Sequence, residues 1–193
     1  MITSGQLITE CNLCSLSGDR YAFPRIHRGD GPKIMFIGMC PGKQEAIEHL
    51  AFVGPSGKLL NEWIKILDID NYYITNVVKH RPIEEYMGKI KDKDPTPIQI
   101  SSCLPYIEAE IKSENPDYII TLGKVATKAI LPEVFLTFNS YNFTTIVDKF
   151  LSDTSLISVE RGYKGIPFFH PSYILRGGTR IRPYLDLLME VIK

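Results

Sequence analysis

The chain predicts an α/β fold: a three-layer α/β/α sandwich around a central, mainly parallel sheet of four strands. Three observations lead there. Four short apolar runs, at residues 33–38, 72–78, 118–123 and 166–169, have the length of buried strands. Segments of helical period separate them, and strands alternating with helices give a parallel sheet covered on both faces. Polar clusters follow the strands at Gly38–Gly42, Asn76–Arg81 and His170–Arg176, and in such sheets the ligand sits outside the carboxyl ends of the strands.

Each element has its own warrant. Lys33-Ile34-Met35-Phe36-Ile37-Gly38 ends in glycine, and Met39-Cys40-Pro41-Gly42 reads as a turn. From Ser56 to Ile66, with Leu59, Leu60, Trp63, Ile64 and then Leu67 at helical spacing, the chain predicts a helix. Tyr72–Val78 is the second strand. Lys79–Pro97 is charged and contains proline, the composition of a long functional loop. Ile98–Glu114 and Lys124–Leu131 predict helices flanking the strand at Tyr118–Gly123, and Pro132–Asp153 shows aromatics without clean periodicity. A strand at Ile166–Phe169 and a helix over about Arg182–Ile192 complete the pattern. One domain over 1–193 is expected, with an N-terminal segment at about 8–30 and an insertion at about 132–158.

Composition sets the function classes. The 193 residues are 44% hydrophobic and 23% charged, with 22 Lys plus Arg against 22 Asp plus Glu. A net charge of zero excludes a histone-like coat but permits a local basic face. No run approaches the ~18 apolar residues of a membrane helix. Met1–Gly5 lacks the charged start of a signal peptide, so a cytoplasmic monomer is expected. There, cysteines serve as ligands or catalysts more often than as disulfides. Cys11-x-x-Cys14, with Cys40 and Cys103 elsewhere, points first to a metal.

The ordered motifs resemble those of the iron–sulfur, family-4 uracil-DNA glycosylases. The matching pieces are Cys11-x-x-Cys14, the turn Gly38–Gly42, Ala51-Phe52-Val53-Gly54-Pro55-Ser56-Gly57, Ile74-Thr75-Asn76-Val77-Val78-Lys79, Cys103-Leu104-Pro105-Tyr106, Ile120–Gly123, and His170-Pro171-Ser172-Tyr173-Ile174-Leu175-Arg176. The resemblance runs from Cys11 to about Arg176 and implies an enzyme that swings uracil out of DNA and hydrolyses its glycosidic bond. Such chemistry needs a group complementary to the Watson–Crick edge of the base. An Asn amide, one acceptor beside one donor, matches the paired carbonyl and N–H of uracil. By resemblance Asn76 supplies it, Phe52 stacks on the base, and Gly38, Met39 and Cys40 complete the pocket. His170 is the donor to the departing base, and Glu45 is the carboxylate near the sugar. Ser172, Ile174, Leu175, Arg176 and Arg180 are the expected DNA contacts, with Ile174 or Leu175 as an apolar wedge.

The resemblance also implies a [4Fe-4S] cluster on Cys11, Cys14, His80 and Cys103. His80 stands where the family usually has cysteine and where a DNA-crosslinking branch carries V-K-H. Histidine ligation of iron–sulfur centres has the Rieske precedent; the alternatives are a structural zinc on the same Cys3His set, or no metal, with Cys40 and Cys103 as buried apolar residues. Residues Arg81–Pro97 contain no histidine, so the crosslinking reaction is not implied. Met39 departs from the family's Glu, and Cys40 stands where a single-strand-selective branch has Asn; neither is a carboxylate. Three readings remain open: a uracil-DNA glycosylase of base-excision repair, a weak or silent DNA- or uracil-recognition protein, and a glycosylase for another deaminated base.

Overall fold

Ile34–Gly38 (β2) is buried along its whole length, which only a central strand with both faces covered achieves. Its side chains alternate as a strand requires. Ile34 and Phe36 enter one core with Leu60, Trp63 and Leu188, and Met35 and Ile37 enter the other with Ile107, Ala126 and Ile130. The computed structural model describes residues 8–16, 18–157 and 162–192.

In chain order the elements are β1 (Arg25–His27), β2, α1 (Lys43–Glu48), α2 (Pro55–Ile66), β3 (Tyr72–Asn76), β4 (Ile83–Tyr86), β5 (Lys89–Asp92), α3 (Pro97–Glu114), β6 (Tyr118–Leu122), α4 (Lys124–Ile130), α5 (Pro132–Thr137), α6 (Phe143–Ser152), β7 (Lys164–Phe168), α7 (Pro171–Leu175) and α8 (Arg182–Ile192). The main sheet has the order β1-β3-β2-β6-β7. The four expected strands are β3, β2, β6 and β7, and they pair in parallel. Helices α2 and α8 pack on one face, α3 and α4 on the other, which gives three layers.

The structure departs from the sequence expectation in three places. A fifth strand, β1, pairs antiparallel with β3 at the sheet edge. It is three residues long and partly exposed, so it carries no apolar run. Within 79–97, expected as a loop, β4 and β5 form a separate hairpin closed by Met87 and Gly88, both at positive φ. That pair of conformations is a tight hairpin turn matched to strand twist.

The third concerns 132–158, of which residues 132–157 are described. They form α5, α6 and a short 3-10 turn. Val147 and Leu151 of α6 join one core, Ile146 and Phe150 the other. Phe135 stacks on Phe143, and Phe138 meets Tyr141 and Phe150 edge-on. The phenylalanines are locally packed, whereas Tyr141 remains exposed. No described helix is long and apolar enough to cross a membrane.

Candidate active site

The carboxyl ends of β2, β3 and β7 converge on one cavity of about 530 Å³, within the ~300–1,000 Å³ of small-molecule sites. It brings together Met39, Cys40, Glu45, Phe52, Asn76 and His170, with Ser172 on its wall. Gly38 lies directly beneath. A Cβ there would stand 2.5 Å from Phe52 Cζ and 2.6 Å from Asn76 Oδ1, so only glycine lets both side chains occupy the strand end.

Asn76 pairs in register with Gly38 at the last rung of β3. Its side chain is buried yet reaches the cavity, and among the described residues its amide has no hydrogen-bond partner. Phe52 is held in a left-handed conformation, φ 55°, an arrangement that persists only where surroundings over-determine it. Two contacts do so. Gly57 of α2 packs on the Phe52 carbonyl, where a Cβ would come within 1.7 Å of the oxygen. Glu45 Oε1 accepts the Val53 and Gly54 N–H groups at 3.1 and 2.8 Å. The expected sugar-side carboxylate is therefore a clamp on the Phe52 turn through one oxygen.

His170 caps α7. Its Nδ1 accepts the Ser172 backbone N–H at 3.1 Å and lies 2.8 Å from Ser172 Oγ. An Nδ1 that accepts leaves the proton of the neutral ring on Nε2. Burial, then the nearby Arg176 charge, push its pKa down to about 4. The ring is thus a neutral donor at physiological pH. Its centroid is 5.9 Å from that of Phe52.

Cys40 lines the cavity as a thiol rather than a thiolate. Burial, followed by Asp94, Asp92 and Glu45, pushes its pKa up to about 12, against a smaller opposing effect of Arg81. It is a weak donor and a small filler, not a base.

The 171–182 loop sorts the expected DNA contacts. Ile174 packs against the core, whereas Leu175 is 54% exposed, which makes Leu175 the wedge candidate. Arg176 and Arg180 are exposed. Arg182 instead binds Asp186 one turn along α8, at 2.9 Å.

Two groups escaped the sequence. The root of the β4–β5 hairpin brings Pro82, Asp92, Lys93 and Asp94 to the cavity. Beneath Asn76, the fully buried Lys79 donates to Thr75 Oγ1, the Asn76 carbonyl and Glu110 Oε2 at 2.8, 2.9 and 2.8 Å. Burial pulls Lys79 downward, and the Glu110 carboxylate beside it opposes that. A lysine after V-V would ordinarily read as a solvated strand end; its partner lies 31 residues away.

The cysteines of the N-terminal motif lie near α3. The buried Cys103 thiol is raised first by burial, with the Lys79 backbone N–H opposing and the Cys14 and Cys11 charges adding to it. The Leu16 N–H donates to Cys14 Sγ at 3.4 Å. His80 is buried, with Nε2 unpartnered; burial lowers its pKa, and the Gly18 backbone opposes that. Residues 20–22 run antiparallel along 79–81, with Ala22 N–H on the Lys79 carbonyl at 2.9 Å and Arg81 N–H on the Arg20 carbonyl at 2.7 Å. Among the described residues, no three His, Cys, Asp or Glu side chains stand close enough together to hold a metal ion as they are placed.

Comparison with known proteins agrees with this architecture. The family model of the uracil DNA glycosylase superfamily matches residues 26–190. A type-4 uracil-DNA glycosylase of Archaeoglobus fulgidus is 30% identical over 175 residues, covering 87% of this chain and 79% of its own. One from Thermotoga maritima is 32% identical over 174 residues, covering 88% and 80%. One from Sulfurisphaera tokodaii is 41% identical over 118 residues, 58% of this chain, which spans half the length of that relative. With the sheet edge, the cavity and the motif order all in place, the chain belongs to the uracil-DNA glycosylase superfamily and stands with its type-4 members.

Proposed function

We propose that the protein excises uracil from DNA by hydrolysing the N-glycosidic bond of a nucleotide turned out of the stack. The observation that carries this reading is the unpartnered Asn76 amide facing a cavity that also holds Phe52 and the neutral His170. Asn76 presents one acceptor and one donor to the base edge. Phe52 offers a ring face, a contact worth ~1–3 kcal/mol per base. As the bond to C1′ lengthens, negative charge moves onto the uracil oxygens, and a fixed donor there lowers the barrier. His170 Nε2–H is that donor, and the Ser172 N–H on Nδ1 keeps the tautomer. Leu175 fills the vacated stack and Arg176 and Arg180 meet phosphates. The enzyme acts as a monomer on single- or double-stranded DNA.

Cys11, Cys14, His80 and Cys103 are the residues that would hold a [4Fe-4S] cluster, or zinc in the alternative. In support, His80 Nε2 is a buried polar atom without a partner. The group would supply structure, fastening the N-terminal segment to the end of β3, and takes no part in the chemistry at the base. An iron–sulfur protein is brown with broad visible absorption, whereas zinc is colourless. His80→Ala is expected to lower iron content per chain, whereas Cys40→Ala leaves it near one cluster; the reverse order would make Cys40 the ligand.

A second reading rests on Met39 and Cys40: a protein that binds uracil in DNA without cutting. Steady-state excision on oligonucleotides containing uracil, hypoxanthine or xanthine separates these readings. Asn76→Ala and His170→Ala are each expected to lower uracil excision about 100-fold or more. Tight uracil-DNA binding with no excision, and cutting gained only in Met39→Glu, would establish the silent reading. Preference for hypoxanthine or xanthine would establish another lesion.

A further inference from the structure

The Gly38–Gly42 turn carries no carboxylate, and the cavity nevertheless has three at its edge: Glu45, Asp92 and Asp94. They are not equivalent. Glu45 spends Oε1 on the Val53 and Gly54 N–H groups. Asp92 Oδ1 receives Arg81 Nε at 2.6 Å in an ion pair whose arginine is only 11% exposed. Asp94 has no hydrogen bond or ion pair among the described residues.

Its backbone, in contrast, is held on both sides. The Lys93 N–H donates to the Pro82 carbonyl at 3.2 Å, closing the root of the hairpin. Pro95 follows and is buried; a residue before proline is confined to extended conformations. Thr96 then caps α3 through a capping box with Gln99, and Gln99 Nε2 donates to Ser15 Oγ at 3.1 Å. A carboxylate with no internal partner, on a fixed backbone at a cavity wall, is poised for a ligand. It lines the same cavity as Met39 and Cys40 of the turn.

Resting on the glycosylase reading above, we propose that Asp94 supplies the sugar-side carboxylate that Met39 does not. In the reaction the C1′–N1 bond breaks and its electron pair leaves with the base. The oxygen of a water molecule bonds to C1′ on the opposite face. Asp94 takes the proton that water sheds and passes it to solvent, while the uracil anion, bonded to His170, gains a proton from solvent. Before the water adds, the same negative charge offsets the positive charge on the sugar. The hairpin thus brings to the cavity a catalytic charge that the β2 turn lacks.

The test is single-turnover excision of uracil, with DNA affinity measured in parallel, for the parent chain, Asp94→Asn and Met39→Glu/Asp94→Asn. Asp94 is exposed, so its amide variant should fold. The expected result is an excision rate about 100-fold lower in Asp94→Asn, with DNA affinity changed less than threefold. Restoring a carboxylate from the other side in the double variant should recover at least tenfold. A parent that cuts and an Asp94→Asn that cuts equally fast, or loses binding and rate in proportion, overturns the assignment alone. A parent that excises no uracil overturns both it and the glycosylase reading.

Discussion

At the scale of single residues, His170 shows how local structure sets chemistry. Proline at the first position of α7 leaves the next N–H, that of Ser172, without a helical acceptor, and His170 Nδ1 takes it. The cap therefore chooses the tautomer. A neutral, part-buried imidazole with its pKa pushed down to about 4, below the ~6.5 of an unfolded chain, has a defined pH signature. The unfolded chain gains a proton as pH falls through 6.5 and the folded one does not. His170 thus contributes stability that is fully present above ~6.5 and lost progressively between there and about 4. NMR of the imidazole protons should show a midpoint near 4 for His170 and no change of state between pH 6 and 8. A midpoint near 6.5 would show that folding does not favour the neutral ring over its charged form.

Asn76, Phe52 and His170 were legible on the strength of the family resemblance rather than of composition, and they line one cavity. The task of Glu45 was not, because its acceptor role depends on the turn of Phe52, which is set by Gly57 beyond it. Nor could sequence choose between Ile174 and Leu175. Adjacent residues on a short helix point differently, and only packing shows that Ile174 faces the core.

At the scale of elements, the buried strands were readable because four short apolar runs admit little else. The β4–β5 hairpin was not. Its sequence, I-E-E-Y-M-G-K-I-K-D, alternates weakly and turns at Met87-Gly88 rather than the Asn-Gly that signals such a turn. Residues 132–157 hid two helices because each is short and they meet at a turn capped by Asn142. Periodicity needs more than two turns to declare itself.

The link between β3 and α3 is the least readable and carries a prediction. Lys79 and Glu110 are both buried and approach to 2.8 Å. Removing one partner strands the other's charge, at a cost of about 3–5 kcal/mol. Lys79→Met should lower the unfolding free energy by that amount, and Lys79→Met/Glu110→Met by much less, as read from urea denaturation. Equal losses in the two variants would show that the pair has no mutual role.

At the scale of the whole molecule, the equal count of 22 basic and 22 acidic residues averages unlike surfaces. On one side, 167–185 contains no acid and exposes Arg176 and Arg180. On the other, the hairpin root presents Asp92, Lys93 and Asp94. In the proposed reaction, phosphates would meet the exposed arginines, and a developing sugar cation would meet the hairpin carboxylates.

The central claim is that this cavity both selects uracil and cuts its bond, despite a turn without a carboxylate. The most direct measurement is a single-turnover time course on a uracil oligonucleotide with excess unmodified protein, following free uracil and abasic DNA together. The account predicts one uracil released per abasic site formed, with none from the matching thymine oligonucleotide. Uracil-DNA bound at saturation with neither product formed would contradict it.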